Sequence, residues 1–144
     1  MSPAPIRLSQ IAPEVLEEAA ERHRAVQQRI AAAAARAGRA PDEITLVGVA
    51  KKQPLERIVA TLAAGVRVLG ESYIQEAREV CPAIEAALAS EPETADWRLE
   101  WRIVGRLQRN KAVLAVRLFD AIDRVDRPEL IETLDRRAER EGRR

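Results

Sequence analysis

Two adjacent lysines close an apolar run: Ile44-Thr45-Leu46-Val47-Gly48-Val49-Ala50 leads directly into Lys51 and Lys52. A short run of this kind reads as a strand buried on both faces. Side chains alternate along a strand, so Val47, Val49 and Lys51 share one face while Leu46, Gly48 and Ala50 share the other. At the end of such a strand Lys51 would project among apolar side chains. Partial desolvation there lowers an amine's proton affinity and frees it to attack an aldehyde. The same residue also fits a snorkelling lysine at a strand end. Lys52 points the other way. Glu71 and Ser72 close a second apolar run, Val66–Gly70, where they suit hydrogen bonds to a ligand, although capping of the next helix by Ser72 is the simpler reading. The segment 102–111 holds Arg102, Arg106, Arg109 and Lys111 with Gln108 and Asn110. It has the composition of a phosphate patch. Trp101 is the one aromatic nearby, so base stacking has little support. A solvated loop and helix face is the default, and nucleic acid is not expected as a partner.

Other reactive side chains are scarce. Cys81 and His23 are the only cysteine and histidine. They lie far apart in sequence, so a packed or bystander thiol is the natural reading of Cys81. No metal site is expected from so few ligands, and a lone thiol fits a reducing cytoplasm. The 24 basic and 23 acidic residues of the 144 nearly cancel, which argues against a generic polyanion binder. No apolar run approaches the ~20 residues that span a bilayer. The first residues lack the apolar core of a secretory signal.

These candidates need elements to hold them. Residues 1–13 contain three prolines and no period, and read as a flexible lead-in to a single unit over 14–144. From Glu14 to Ala37 the spacing of Val15, Ala19, Val26, Ile30 and Ala33 predicts a helix, stopped by Gly38. The strand over 44–50 is next. A helix Leu55–Ala64 opens after Pro54 and ends at Gly65. Then come a strand Val66–Gly70 and a helix from about Ser72 to Ala89 that Pro82 should kink or divide. After a polar loop at 90–96, a strand Arg98–Gly105, a short helix Gln108–Arg117, a strand Phe119–Val125 and a charged helix Arg127–Glu141 complete the pattern.

The order is one helix followed by four strand–helix units. Such alternation predicts an α/β fold with a parallel sheet and right-handed crossovers. Four units are half of an eight-unit (β/α) TIM-type barrel, so the expectation is a half or truncated barrel preceded by an N-terminal helix. In such folds working residues stand at the C-terminal ends of strands, which is where Lys51, Glu71-Ser72, Gly105-Arg106 and Asp126 fall.

At these places the chain resembles the pyridoxal-phosphate homeostasis proteins (the YggS/PROSC type), whose barrel is related to the N-terminal domain of alanine racemase. Leu46-Val47-Gly48-Val49-Ala50-Lys51, with Pro54, resembles the family's cofactor-lysine strand. Gly70-Glu71-Ser72-Tyr73, with Gln75-Glu76, resembles its Gly-Glu-Asn-Tyr segment. Trp101-Arg102-Ile103-Val104-Gly105 resembles its Trp-His-Phe-Ile-Gly signature, and Leu107-Gln108 with Asn110-Lys111 resembles the Leu-Gln and Asn-Lys pairs that extend it. Ala35–Arg39 precedes the first strand as in the family, and Phe119-Asp120 with Val125-Asp126 resemble its fourth strand.

The resemblance implies a cytoplasmic, non-catalytic protein of vitamin B6 homeostasis that holds pyridoxal 5′-phosphate as a Schiff base on Lys51, with Glu71, Ser72, Arg102 and Gly105 around the cofactor. The alternatives are a racemase-like pyridoxal-phosphate enzyme, or a truncated fragment unable to hold cofactor alone. The enzyme would need an acid/base group on the opposite face of the cofactor. Tyr73, the only tyrosine, belongs to the family motif and leaves none to spare. The chain departs from the pattern at Ser72 (usually Asn), Arg102 (usually His), Ala50 (usually Ser) and Asp123-Arg124 (usually His-Ser). It also matches only the family's leading half, so a second chain or second copy completing the barrel is the expected partner.

Overall fold

The computed structural model describes residues 6–144. Its helices are α1 (Pro13–Arg36), α2 (Leu55–Ala63), α3 (Ile74–Ala89), α4 (Ala112–Leu118) and α5 (Pro128–Arg140). Its strands are β1 (Val47–Val49), β2 (Val68–Glu71), β3 (Glu100–Ile103) and β4 (Ala121–Ile122). The four strands form one parallel sheet in the order β1-β2-β3-β4. Sequential order without reversal is the singly wound arrangement of a barrel sheet rather than the doubly wound one.

The strands are shorter than the apolar runs that encode them, because neighbouring elements claim the ends. Val66 N–H donates to Thr61 O at 3.3 Å and Gly65 N–H to Leu62 O at 2.9 Å, so the start of the second run closes α2 instead of joining the ladder. Gly65 adopts φ +115, a conformation that ends the helix and that side chains disfavour. Likewise Phe119 N–H returns to Ala115 O, and pairing in the fourth run begins later. Pro82 lies inside α3, yet the helix is continuous over its 16 residues. The ring sits on the exposed side, where water can satisfy the orphaned carbonyl one turn back. Of the lead-in expected over 1–13, residues 1–5 lie outside the described residues. The rest forms a short 3-10 turn, Leu8–Gln10, and Ile11 packs into the core.

Period-two alternation divides the sheet into two unlike faces. Leu69, Trp101 and Ile103 point under the helices and are at most 3% exposed. They pack with Ile58, Val59 and Leu62 of α2 and Ala77, Ile84 and Leu88 of α3. On the other face Val49 is 48% exposed, and Val47, Val68 and Arg102 are half-buried. Gly70 shows the direction of that face: a Cβ there would lie 3.1 Å from both Val47 Cγ1 and Val104 Cγ1. Among the described residues no helix is long and apolar enough to cross a membrane.

The helix-side layer is therefore the core, and it should carry the stability. Ile84→Ala, at a position with 0% exposure, is expected to lower unfolding stability by about 2–5 kcal/mol. Ile131→Ala, 58% exposed on α5, should change it by no more than about 0.5 kcal/mol. Urea titrations of the two variants check the contrast, and equal losses would contradict this assignment of the core.

Candidate functional site

The C-terminal ends of the strands form one rim. Ala50 N–H donates to Gly70 O at 2.8 Å, Val104 N–H to Glu71 O at 2.8 Å, and Asp123 N–H to Ile103 O at 3.0 Å. The ladder thus runs past the ends of the strands proper. Continuing its register, Val49↔Gly70↔Arg102↔Ala121, places Lys51, Ser72, Val104 and Asp123 in the next row of the inner face.

Lys51 begins a tight turn. Gln53 N–H donates to Ala50 O at 3.1 Å, and Lys52 takes a left-handed φ of +56, an unusual conformation for a residue with a side chain. Lys52 N–H is held by the Glu76 carboxylate from the first turn of α3, and this contact anchors the turn that presents Lys51. The lysine side chain is exposed. This corrects the expectation of an apolar surround: no second layer covers the inner face among the described residues, so Lys51 and Val49 look out from it.

Ser72 is half-buried and does not cap α3; the N-cap position is Tyr73, without a side-chain hydrogen bond. Its backbone is pressed against Gly105. A Cβ on Gly105 would stand 2.2 Å from Ser72 O and 2.8 Å from Ser72 Cα, so only glycine lets the loop after β3 approach the loop after β2. Arg102 lies one row below Ser72. Its Nε donates to both carboxylate oxygens of Asp123 at 3.0 Å, and its Nη1 to Glu100 Oε1 at 2.6 Å. Hydrogen bonding to Asp123, reinforced by Glu100, holds the guanidinium firmly protonated. Sequence reasoning misses Asp123, Glu100 and Glu76 as members of the site. The alternation of Glu100 and Arg102 along one strand is the signal that could have found Glu100.

Glu71 is set apart from the other candidates. It shares the helix-side face with Leu69, is 0% exposed, and neither carboxylate oxygen has a hydrogen-bond partner. Burial, with repulsion from Glu76, raises its pKa from 4.5 to about 7, and the nearby Ser72 N–H offsets this only in part. Cys81 lies in the same layer, buried, its thiol pushed up to about 12 by burial and then by Glu71 and Glu85. A thiol held protonated in this way is a poor nucleophile. Among the described residues no group of three or more His, Cys, Asp or Glu side chains is placed to hold a metal.

An exposed primary amine, a hydroxyl-bearing residue and a charge-locked guanidinium thus belong to the same face of three successive strands, beside a backbone crossing that fixes the rim. This donor set suits a small aldehyde carrying ring hydroxyl or anionic groups. The amine can form a carbon–nitrogen bond, and the other groups can orient what it holds.

No protein-family model matches the chain. The pyridoxal phosphate homeostasis protein of Escherichia coli K12 is 38% identical over 102 residues, covering 71% of this chain and 41% of that protein. PipY of Synechococcus elongatus, solved with pyridoxal phosphate bound, is 39% identical with a TM-score of 0.59, over 79% of this chain and 50% of PipY. A crystal structure of an unknown protein from Bifidobacterium adolescentis superposes with a TM-score of 0.80 at 28% identity, over 96% of this chain and 55% of that one. The chain spans about half the length of the relatives it matches.

Glu71 generates a prediction about pH. An acid whose folded pKa exceeds its unfolded value binds its proton more tightly when folded. The contribution of Glu71 to stability is therefore full below pH 4.5 and is lost as pH rises through about 7. The loss at higher pH is on the order of 3 kcal/mol. Glu71→Gln should remove that slope and raise stability at alkaline pH. Thermal melts of both proteins across this window measure it, and an unchanged slope in the variant would show that Glu71 is not its source.

Proposed function

The chain belongs to the pyridoxal phosphate homeostasis protein family, and we propose that it binds pyridoxal 5′-phosphate on the inner face of its sheet, with Lys51 as the covalent anchor. The observation that carries this reading is the exposed Lys51 amine at the end of β1, with Ser72 at the end of the neighbouring β2 and Arg102 on the same face of β3. Bound there, the cofactor would supply an aldehyde able to condense reversibly with the Lys51 amine, with release of water. Every other role falls to side chains already in place. Ser72 offers a hydroxyl to the bound ring system, and Arg102, kept charged by Asp123 and Glu100, fixes a positive centre beneath it. Gly105 lets the two loops close on each other. Glu71 faces the helix-side layer and would not touch the cofactor.

The role proposed is that of a carrier rather than a catalyst. Racemisation or transamination needs a second proton-transfer group poised across the cofactor. The only tyrosine, Tyr73, is 54% exposed and lines the outer side of the rim with Arg106 and Gln108. Arg102 is committed to two carboxylates and is a poor proton donor.

We further infer that the four strand–helix units are the leading half of an eight-unit barrel. The support is the singly wound strand order and the half-length match to PipY. Among the described residues the outer edges of β1 and β4 pair with no strand. Unpaired edges recruit partners, so a further segment, a second chain or a second copy would complete the sheet there.

Addition of pyridoxal phosphate is expected to give a visible absorption band and, after borohydride reduction, a stable adduct. Lys51→Ala should abolish both, whereas Lys52→Ala, whose backbone contact to Glu76 survives the change, should retain them. Peptide mapping of the reduced adduct decides the matter: label found mainly on Lys52 would overturn the assignment.

A further inference from the structure

Several basic side chains of this nearly neutral chain line two adjoining hollows. A hollow of about 530 Å³ between the 3-10 turn Arg109–Lys111 and α5 is lined by Arg109, Asn110, Thr133, Arg136, Arg137 and Arg140. A second, of about 740 Å³, continues from it along the loops after β2 and β3 and adds Arg106, Lys111 and Arg127. Arg109 and Asn110 line both, so the two hollows form one elongated groove. Tyr73 lines the second hollow but not the first, with 54% of its surface exposed.

The carboxylates neutralise only part of this groove, and Glu132 and Glu139 of α5 line neither hollow. Asp126 is shared between Arg106 and Arg127. Glu141, close to Arg137, is held by Arg117. Glu129 lies on the same stripe of α5 as Thr133, Arg136 and Arg140 but one turn outside the hollow. Arg109, Lys111, Arg136, Arg137 and Arg140 form no ion pair among the described residues. Helix spacing explains the alignment: residues at i, i+3, i+4 and i+7 share a face, and Thr133, Arg136, Arg137 and Arg140 have that spacing. Leu130 and Leu134 of the adjoining face pack into the core and fix the orientation of the helix.

We propose that this groove binds single-stranded nucleic acid, the arginines of α5 and the Arg109–Lys111 turn holding successive phosphates and Tyr73 stacking a base. Unpaired guanidinium groups present paired N–H donors that match phosphate oxygens. From Thr133 to Arg140 the helix rises ~10 Å, enough for more than one phosphate of an extended strand. An elongated track with an aromatic ring in its second hollow fits a strand better than a compact nucleotide. The sequence alone favours a solvated face here because α5 lies far from the Arg102–Lys111 segment in the chain; the fold brings the two together.

Fluorescence anisotropy with a labelled single-stranded RNA of about ten uridines tests the proposal on the full chain. Binding should weaken by tenfold or more between about 50 and about 200 mM salt. Arg136→Gln with Arg140→Gln should weaken it about tenfold and flatten the salt dependence by roughly 1.4 in log–log slope. Arg136→Glu with Arg140→Glu should abolish binding. Both side chains are exposed, and circular dichroism checks that α5 persists. A matched charge reversal on α1, Arg24→Glu with Arg29→Glu, should leave binding within about twofold if contact rather than net charge governs it. Equal loss in the α1 variant, or no loss in the glutamine variant, would overturn the proposal. So would competition by poly-glutamate or by free uridine triphosphate as effective as by unlabelled RNA at equal charge, which would mark an acidic-protein surface or a nucleotide pocket instead.

Discussion

The register of the parallel ladder is the constraint on which the rest of the molecule depends. Val49, Gly70, Arg102 and Ala121 stand side by side, and with a side-chain period of two this single alignment decides the face of every strand residue. A slip of one residue in β2 would bring Leu69 onto the inner face and leave Gly70 against α2 and α3, removing an apolar side chain from the core. It would also break the row that carries Lys51 and Ser72. Glycine enforces the alignment where strands and loops crowd. Gly70 accommodates Val47 and Val104, and Gly105 accommodates the backbone of Ser72.

Charge obeys the same division into faces. On the inner face Arg102 is matched by Asp123 and Glu100 within hydrogen-bond distance, so a cationic centre is held in place without a large desolvation cost, because it remains partly exposed. On the helix side Glu71 has no such partner. Its burial is tolerated by retaining a proton near neutral pH, which is the usual response of an isolated carboxyl group in an apolar layer. The two residues lie on adjacent strands, and their contrast comes from which face the register assigns to each.

The turn after β1 joins these layers. Lys52 adopts a left-handed conformation and is tied to Glu76 of α3, so the first strand's end is positioned by the helix that comes after the second strand. The same α3 buries Ile84 and Leu88 against Leu69 and Trp101, and Trp101 Nε1 donates to Glu85 Oε1 at 3.0 Å. Packing beneath the sheet and presentation of the amine above it therefore share one helix.

Much of this was legible in the chain itself. Hydrophobic period distinguishes the buried strand ending in Lys51 from the amphipathic helices around it, and the alternation of element types implies a parallel sheet, because both are local properties of short segments. Parity alone places Lys51 opposite Ala50, and it places Glu71 with Leu69 once the strand's limits are known. The limits themselves were not legible: Val66 reads as strand but its N–H is taken by the end of α2. Nor does the sequence show that Pro82 falls on the exposed side of α3, where it does not divide the helix. What only the tertiary structure decided are the pairings between distant segments. Arg102 meets Asp123, Lys52 meets Glu76, Gly105 meets Ser72, and Arg109 faces Arg136 and Arg140. Each depends on register and helix orientation, which arise from burying apolar area across the whole domain, and no window of sequence contains that information.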